Sequence, residues 1–285
     1  TASLWIFYLL YALVGVFGAI GIGYGKIIGS LFTQHRGKAM ALITVCSSII
    51  ASIFPQISNQ LLLTFGWRGI FVVLGLFGLA VTVVAFFAFR NIALPKPGQF
   101  RLTTIQEGFR SIFADPRAKV CFIAVFIEAI FIHGLFPYVA ILLIAGGETS
   151  ASIAGIVIAA FGLGGVVYSL SVPLLVASIR QRFLMIIGGA LAAVSLAVIA
   201  FNFPWYLQAT IFGLFGFGFY LLHGTIQVHV TELSPTARGL AASLHSCSFY
   251  LGQACGPVIY GYGFAYAGES PTLLVGAVAV LLVGI

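Results

Sequence analysis

Long apolar runs alternate with short polar segments along the whole chain, and most runs match the length of a membrane-spanning helix. A helix needs about 20 apolar residues to cross a hydrocarbon layer of roughly 30 Å. The runs lack the period-two alternation that marks the strands of an outer-membrane barrel. The pattern predicts spanning helices near residues 4–31, 39–64, 69–89, 119–145, 151–177, 183–203, 205–230 and 239–267, with a ninth from about 271.

The composition favours a membrane protein. Hydrophobic residues make up 61% of the chain and charged residues 7%, whereas soluble domains are about 45–50% apolar. Only structures that satisfy their own backbone hydrogen bonds are stable in lipid, so runs of this length are expected to be helices. The chain starts without Met and stops inside an apolar run, so we expect a fragment that is incomplete at both ends.

Basic residues lie almost entirely in every second loop. Eleven of the 13 Lys and Arg residues fall in one alternating set, 32–38, 90–119, 178–182 and 231–238, and the other set contains only Arg68. Such an excess marks the cytoplasmic side of a membrane. We therefore expect a multi-pass protein of the plasma (inner) membrane with a cytoplasmic 90–118 loop. The net charge of +7 then reflects topology and not a nucleic-acid partner.

A small basic motif occurs twice, as HRGKAMAL at 35–42 and again as ARGLAASL in the second half of the chain. A constant offset of 202 positions relates five pairs, namely Arg36 and Arg238, Gly37 and Gly239, Ala39 and Ala241, Leu42 and Leu244, and Pro55 and Pro257. A constant offset indicates an internal repeat. Six predicted crossings separate the copies, so both copies face the cytoplasm and the repeat unit is a parallel bundle of six helices.

The repeat divides the chain into three parts. Residues 1–92 are expected to end an N-terminal half, with helices four to six, and residues 119–285 to form a C-terminal half from helix seven to the start of helix twelve. Residues 93–118 are expected to form the cytoplasmic loop between the halves, with a capping box at Thr104 and Glu107. A short amphipathic helix is predicted in this loop by the apolar residues Ile105, Phe109, Ile112 and Phe113.

Two long segments resemble a known family of transporters. The segment from LWIFYLLYALVG to HRGKAMAL, followed by a G-W-R triad at 66–68, resembles helices four to six of the monocarboxylate and oxalate:formate exchanger branch of the major facilitator superfamily. The segment TELSPTARGLAASLHSCSFYLGQACGPVIYG is similar to helices ten and eleven of many members. The resemblance implies an all-α integral membrane protein with the major facilitator fold, in which two parallel six-helix halves enclose a central site. About nine of the twelve helices fall within this chain.

The motif residues are expected to have structural roles. In each R-G pair the Arg anchors the cytoplasmic start of a helix, and the small residues after it allow another helix to approach closely. Drug:proton antiporters of the superfamily usually carry G-x-x-x-G-P in helix five, whereas the glycines here occur in helix eleven, which disfavours multidrug efflux. The structural motif residues are Arg36, Gly37, Gly66, Trp67, Arg68, Arg238, Gly239, Gly252, Gly256 and Pro257.

Polar residues inside the spans are the candidates for function, because each is costly in hydrocarbon and tends to face a cavity or a partner. At 1.5 Å per residue, Lys26, His223 and His245 lie roughly 10–12 Å from the cytoplasmic helix ends, and Glu128 lies about 14 Å deep. This common depth is where the central site of the fold lies. We predict that four of these residues bind the substrate, namely Lys26, His223, Gln227 and His245. Two others, Glu128 and His133, are predicted to couple transport to protons.

Each candidate has a structural alternative. Lys26 is near enough to the cytoplasmic end of its span for its ammonium group to reach the interface by snorkelling. For His223 and His245 the alternative is a hydrogen bond in the helix core. His229 is expected at the membrane interface and is not assigned a role.

The sequence therefore predicts a secondary active transporter that moves a small organic solute, a monocarboxylate-like anion, by alternating access with proton coupling or exchange. The alternatives are efflux of a drug or another metabolite by proton antiport, and a non-transporting membrane sensor. An enzyme is not expected, because the chain has neither H-E-x-x-H nor G-x-x-x-x-G-K-[ST], and no cofactor or metal is predicted. The expected partners are the substrate, protons and the lipid bilayer, and the expected state is a monomer.

Overall fold

The computed structural model describes residues 3–18, 36–90, 102–148, 150 and 152–285. Within these ranges the chain is helical and contains no strand, which confirms the predicted fold class. A turn of 3₁₀-helix, Phe136–Tyr138, lies between the α-helices Arg117–His133 and Val139–Ala145. The α-helices are α1 (Leu4–Gly18), α2 (Arg36–Phe89), α3 (Leu102–Phe113), α4 (Arg117–His133), α5 (Val139–Ala145), α6 (Ser152–Ser178), α7 (Gln181–Ile199), α8 (Trp205–Glu232), α9 (Arg238–Tyr266) and α10 (Glu269–Gly284).

The helices α6 to α10 follow the predicted spans closely, and the chain is a multi-pass membrane protein. In the described ranges five helical stretches are long and apolar enough to cross a membrane. They are Ser52–Ala88, Arg117–Ala145, Ser152–Ser178, Gln181–Ile199 and Trp205–Glu232. The helix α10 is a shorter apolar helix. The predicted span 4–31 is described only as far as residue 18.

Two spans differ from the prediction. The expected loop at 65–68 is reduced to a break at Gly66 inside α2, where φ is 67° and ψ is 175°. This positive φ is readily adopted by Gly, so the chain changes direction there without a longer loop. The predicted helix 119–145 is instead interrupted between His133 and Val139, because Gly134 and Pro137 both occur in this short segment.

The core of the described chain lies around α8. This helix packs against α6 and α7, while α9 packs against α4, and α10 closes the bundle against α7 and α4. Phe212 and Phe215 of α8 and Leu196 of α7 are completely or almost completely buried at these contacts. The helix α2 packs against α6, which brings the expected N-terminal part of the chain into contact with the expected C-terminal part.

Glycines allow the helices to cross at short distance. A Cβ atom on Gly256 of α9 would lie 2.6 Å from the Cα of Gly134, at the end of α4. A Cβ on Gly188 of α7 would lie 2.7 Å from the backbone nitrogen of Leu222 in α8. Since lipid supplies no hydrophobic force between helices, such close backbone contact is a main source of their association.

The two small residues of the R-G motif in α9 differ in how closely they pack. Ala241 is fully buried, as expected for a position of close helix approach. Gly239 differs from this expectation, because no atom of the described chain lies within 4 Å of the position that its Cβ would take. Other glycines of α9 have close contacts, among them Gly252 and Gly256, which face α4.

The segment between the expected halves contains the helix α3. Thr104 is the third residue of this helix, so it does not cap the helix start and the expected capping box is wrong. Ile112 is fully buried, whereas Phe109 and Phe113 are partly exposed with their rings stacked at a centroid distance of 6.4 Å. The hydroxyl groups of Ser111 and Ser234 are 2.7 Å apart, which ties α3 to the loop between α8 and α9.

A charged turn leads from α3 into α4. Asp115 accepts a hydrogen bond from the backbone nitrogen of Arg117 at 2.8 Å, and the Arg117 guanidinium contacts the same carboxylate at 2.7 Å. The side-chain hydrogen bond from Arg117, reinforced by the backbone bond, lowers the pKa of Asp115. The carboxylate thus stays ionised at the positive end of α4, where negative charge is favourable.

Replacing Gly216 should weaken the contact between α6 and α8. A Cβ at Gly216 would overlap the backbone carbonyl oxygen of Phe161, whereas a Cβ at Gly213, one turn earlier, would make an ordinary 3.6 Å contact with the Ala160 oxygen. We expect Gly216→Ala to lower the unfolding free energy by about 1–3 kcal/mol. The matched control Gly213→Ala should change it little. The measurement is thermal unfolding of the purified full-length protein, and equal melting temperatures for the two variants would contradict this packing.

Candidate functional site

A buried carboxylate joins two helices near the centre of the bundle. Glu128 of α4 is fully buried, and its Oε1 lies 2.9 Å from Nδ1 of His223 in α8. The His223 side chain remains 20% exposed, so the pair has one buried member and one accessible member. The contact is a hydrogen bond in which donor and acceptor depend on where the proton lies.

Three polar atoms around this pair are buried and have no hydrogen-bond partner among the described residues. They are Oε2 of Glu128, Nε2 of His245 and Nδ1 of His133. Each unsatisfied buried group costs about 1–3 kcal/mol, and more when the group is charged. Such atoms in one small region indicate a place where water, a proton or a polar ligand is bound.

The histidines and the Phe249 ring form one continuous group. His245 of α9 is 2% exposed, and its ring centroid lies 4.9 Å from that of His223. The Phe249 ring lies 5.1 Å from His223 and 5.0 Å from His133. We call Glu128, His133, His223 and His245 the central polar cluster. The Phe rings around it lower the local dielectric, which strengthens charge interactions.

Helical spacing explains why these side chains meet. Phe219 and His223 are four residues apart on α8, and His245 and Phe249 are four residues apart on α9, so each helix presents a ring and an imidazole on one face. On α4 the last residue is His133, directly before the break at Gly134. The break therefore lies beside the central polar cluster.

The sequence predicted the members of this cluster but not their contacts. Four of the six predicted binding and coupling residues, Glu128, His133, His223 and His245, lie together. Gln227 is exposed on the next turn of α8 and lies outside the cluster. Lys26 falls outside the described residues. His223 contacts the expected proton-coupling carboxylate directly, a role that the expectation of a substrate ligand did not include.

The remaining predicted residues lie near helix ends or at the break in α2. Arg36 and Arg238 begin α2 and α9, although the side chain of Arg36 lies outside the described residues. The Arg68 guanidinium lies 4.3 Å from the centroid of the Trp67 ring, a cation–π contact just after the break at Gly66. His229 lies 3.9 Å from Glu232, and both are partly exposed near the end of α8.

Two tyrosines were missed by the sequence reasoning. Tyr138 donates a hydrogen bond of 2.7 Å to the Pro257 carbonyl, and Tyr260 donates one of 2.8 Å to the Phe131 carbonyl. These reciprocal bonds tie both sides of the break after α4 to α9. The signal was available, because a Gly and a Pro three residues apart in an apolar run predict an interrupted helix.

A polar stripe on α2 was also missed. Polar residues recur every four positions at Ser52, Gln56, Gln60 and Thr64, so each lies on the same side of the helix as the next. The Nε2 of Gln56 is buried without a hydrogen-bond partner in the described part of the chain and lies beside Gly155 of α6. Near it, the Ser152 hydroxyl lies 3.5 Å from Oδ1 of Asn59. Gln56 and Asn59 thus place polar groups at the contact between α2 and α6.

Removing His223 should leave the Glu128 carboxyl without its partner. We expect His223→Leu to lower the unfolding free energy by about 1–3 kcal/mol. The double variant Glu128→Leu with His223→Leu should lose less than the sum of the two single variants, with a coupling of about 1 kcal/mol or more. The measurement is thermal unfolding of the full-length protein.

The control for this cycle is His229→Leu, because its partner Glu232 is exposed and the pair is long. Exposed ion pairs contribute only about 0–1 kcal/mol, so the control should be nearly neutral. If the losses of unfolding free energy in the Glu128 and His223 single variants simply add up in the double variant, their contact does not stabilise the protein.

Comparison with known proteins agrees with the helical membrane fold. A region of 82 residues is 29% identical to the probable L-galactonate transporter of Escherichia coli (strain K12). This region is 25% of the chain and 18% of that relative, so the chain spans a small part of the relative's length. The sequence pattern of the Major Facilitator Superfamily matches residues 1–257, nearly the whole chain. The chain therefore belongs to the Major Facilitator Superfamily.

Proposed function

We propose that the chain is part of a secondary active transporter for a small hydroxylated organic anion, and that protons drive transport through Glu128 and His223. The observation that carries this proposal is the hydrogen bond between a fully buried carboxylate and a partly exposed imidazole on a different helix. Family membership supports transport and not enzymatic catalysis.

The coupling follows from the cost of an isolated charge. Moving an unpaired carboxylate into a low-dielectric interior costs several kcal/mol, so Glu128 holds either a proton or a positively charged partner. While His223 is in contact, an imidazolium satisfies the carboxylate. When α8 moves away from α4, the carboxylate must take up a proton. A change between inward-facing and outward-facing states thus replaces the contact with His223 by a bound proton as the group that neutralises Glu128.

The atoms around the pair suit a substrate that has both acidic and hydroxyl groups. A hydroxyl group can donate to the unpartnered Oε2 of Glu128, and a carboxylate can accept from Nε2 of His245 when that nitrogen is protonated. We assign Lys26 as a further anchor for the carboxylate, since a compact ammonium makes a contact that is easily released. Gln227, four residues after His223 on α8, is assigned to the entrance of the site.

Two kinds of similarity support an organic anion. The resemblance to the monocarboxylate and oxalate:formate exchanger branch suggests a carboxylate. The relative is named for L-galactonate, which is a carboxylate with several hydroxyl groups. A hydroxylated carboxylate fits both, as well as the mixture of donors and acceptors in the central polar cluster.

One observation favours the second candidate, export of an aromatic or amphipathic compound by proton antiport. Phe136, Phe161, Phe219 and Phe249 all pack against the His133 ring, with centroid distances between 4.7 and 5.9 Å. Rings of this kind form apolar walls that suit amphipathic ligands. Counterflow with labelled hydroxy acids and with amphipathic cations separates the two candidates. Absence of any counterflow would instead favour the sensor alternative.

Neutralising Glu128 should separate proton coupling from substrate movement. Glu128→Gln keeps the size of the side chain but cannot exchange a proton, so pH-driven accumulation should be lost while exchange of substrate for substrate continues. The measurement is uptake into proteoliposomes with and without a pH gradient. Glu232→Gln is the control, because this carboxylate is exposed. Proton-driven accumulation at the wild-type level in Glu128→Gln would refute the coupling role.

Neutralising Lys26 should weaken the binding of an anion. We expect Lys26→Gln to raise the KM for an anionic substrate at least tenfold, a loss of about 1.4 kcal/mol, while the KM for a neutral analogue of the same shape changes little. Lys119→Gln, at the exposed start of α4, is the control. An unchanged KM in a correctly inserted Lys26→Gln would identify Lys26 as a snorkelling residue.

A further inference from the structure

The helix α3 ends directly before a membrane-spanning helix. Only residues 114–116 separate it from α4, which begins the spanning stretch Arg117–Ala145. Its Ser111 hydroxyl lies 2.7 Å from that of Ser234 in the loop between α8 and α9. Both segments belong to the same set of basic loops in the sequence. The helix therefore lies at one end of the bundle, near the level at which the spans leave the hydrocarbon.

One face of α3 packs against the bundle. Ile112 is completely buried. A Cβ on Gly108, four residues earlier, would lie 2.9 Å from Cδ2 of Leu240 and 3.4 Å from Cβ of Ala237, so α3 closely contacts the beginning of α9. Residues four apart lie on the same side of a helix. Gly108 and Ile112 thus define the face of α3 that is turned toward the protein.

A second face of α3 is apolar and exposed among the described residues. Leu102, Phe109 and Phe113 are all exposed, and their spacings of seven and four residues put them on one side of the helix. At 3.6 residues per turn, this side is roughly a quarter turn away from the face with Gly108 and Ile112. Large apolar side chains gain free energy by leaving water. The exposed face therefore requires a cover that the bundle itself does not provide.

The third face of α3 is polar. Thr103, Glu107 and Arg110 are exposed and follow one another at spacings of four and three residues. Arg110 is three residues before Phe113, so it lies on the border between the polar face and the exposed apolar face. A helix in the interface of a bilayer has this arrangement, with aromatic and aliphatic side chains toward the acyl chains, polar side chains in water, and a basic side chain near the lipid phosphates.

The exposed apolar face of α3 adjoins the membrane-spanning helix. The Phe113 ring lies 5.7 Å from the Phe122 ring in α4. In the same first turns of α4, Val120 and Ile123 are apolar and exposed, as expected for the side of a span that contacts acyl chains. Exposed apolar side chains thus occur on both sides of this ring contact, on the span and on α3. Lipid that covers the span is in position to cover α3 as well.

We propose that α3 is an interfacial helix whose partner is the surface of the bilayer on the side of the basic loops. Leu102, Phe109 and Phe113 insert among the lipid chains, while the polar face stays in water. Because α3 also packs against the beginning of α9 at Leu240, it attaches this end of α9 to the membrane surface. The proposal does not depend on the transported substrate or on proton coupling.

The test is spin-label accessibility in the full-length protein, with its native cysteines replaced by Ser, in vesicles of phosphatidylcholine and phosphatidylglycerol. Labels on the apolar face, at Leu102→Cys and Phe109→Cys, are compared with matched controls on the polar face, at Thr103→Cys and Glu107→Cys. Oxygen concentrates among acyl chains and a charged nickel chelate stays in water. The ratio of oxygen to chelate collisions should therefore be about fivefold or more higher on the apolar face than on the polar face.

Two results would overturn the proposal. Labels at 102 and 109 that meet the chelate as often as those at 103 and 107 would place the apolar face in water. Labels at 102 and 109 that are shielded from both reagents would show that protein, and not lipid, covers this face. Leu102 is 67% exposed, so Leu102→Cys removes little packing, and its label decides the test if Phe109→Cys fails to fold.

Discussion

A hydrocarbon layer offers no hydrogen-bond partner to a backbone amide or to a side-chain carboxylate. The first consequence is that the described part of the chain is helical, because a spanning helix satisfies its own backbone. The second is the way in which helices associate, since backbone contact at glycines such as Gly134 and Gly256 replaces the hydrophobic force of a soluble core. The third is the contact of Glu128 with His223, because a buried carboxylate needs a proton or a partner.

The sequence was sufficient for the fold because this constraint acts on each segment separately. Apolar length predicted α6 to α10 within a few residues, and the 202-residue repeat predicted the family. The interruptions were harder. At Gly66 a single residue with a positive φ replaces the expected loop. After His133 the helix stops inside a largely apolar run, and hydropathy alone does not detect this break. The Phe131 carbonyl oxygen beside it accepts a hydrogen bond from Tyr260 of α9, a contact between distant parts of the chain.

The sequence indicated which residues lie together in the candidate site, but it did not indicate which of them are in contact. Depth along the helix selected Glu128, His223 and His245 correctly as neighbours, since residues at one level on packed helices meet. Depth does not give the direction in which a side chain points, so it could not separate Gln227, which is exposed, from His223. The polar residues of α2 were not predicted as a group, although their spacing of four residues is visible in the sequence. Pairings such as that of Glu128 with His223 depend on rotation of each helix about its axis, and a single sequence does not determine this rotation.

The two tyrosine hydrogen bonds connect α9 to the interrupted helix. A helix break usually acts as a free hinge, because the residues around it have fewer internal hydrogen bonds to lose. Here Tyr260 is attached to α4 before the break, and Tyr138, within the break, is attached to α9. Bending at Gly134 with α9 fixed would stretch one of these bonds, and the backbone contact between Gly134 and Gly256 lies beside them. We therefore expect a bend at this break to carry α9 with it, which would move His245 relative to His223.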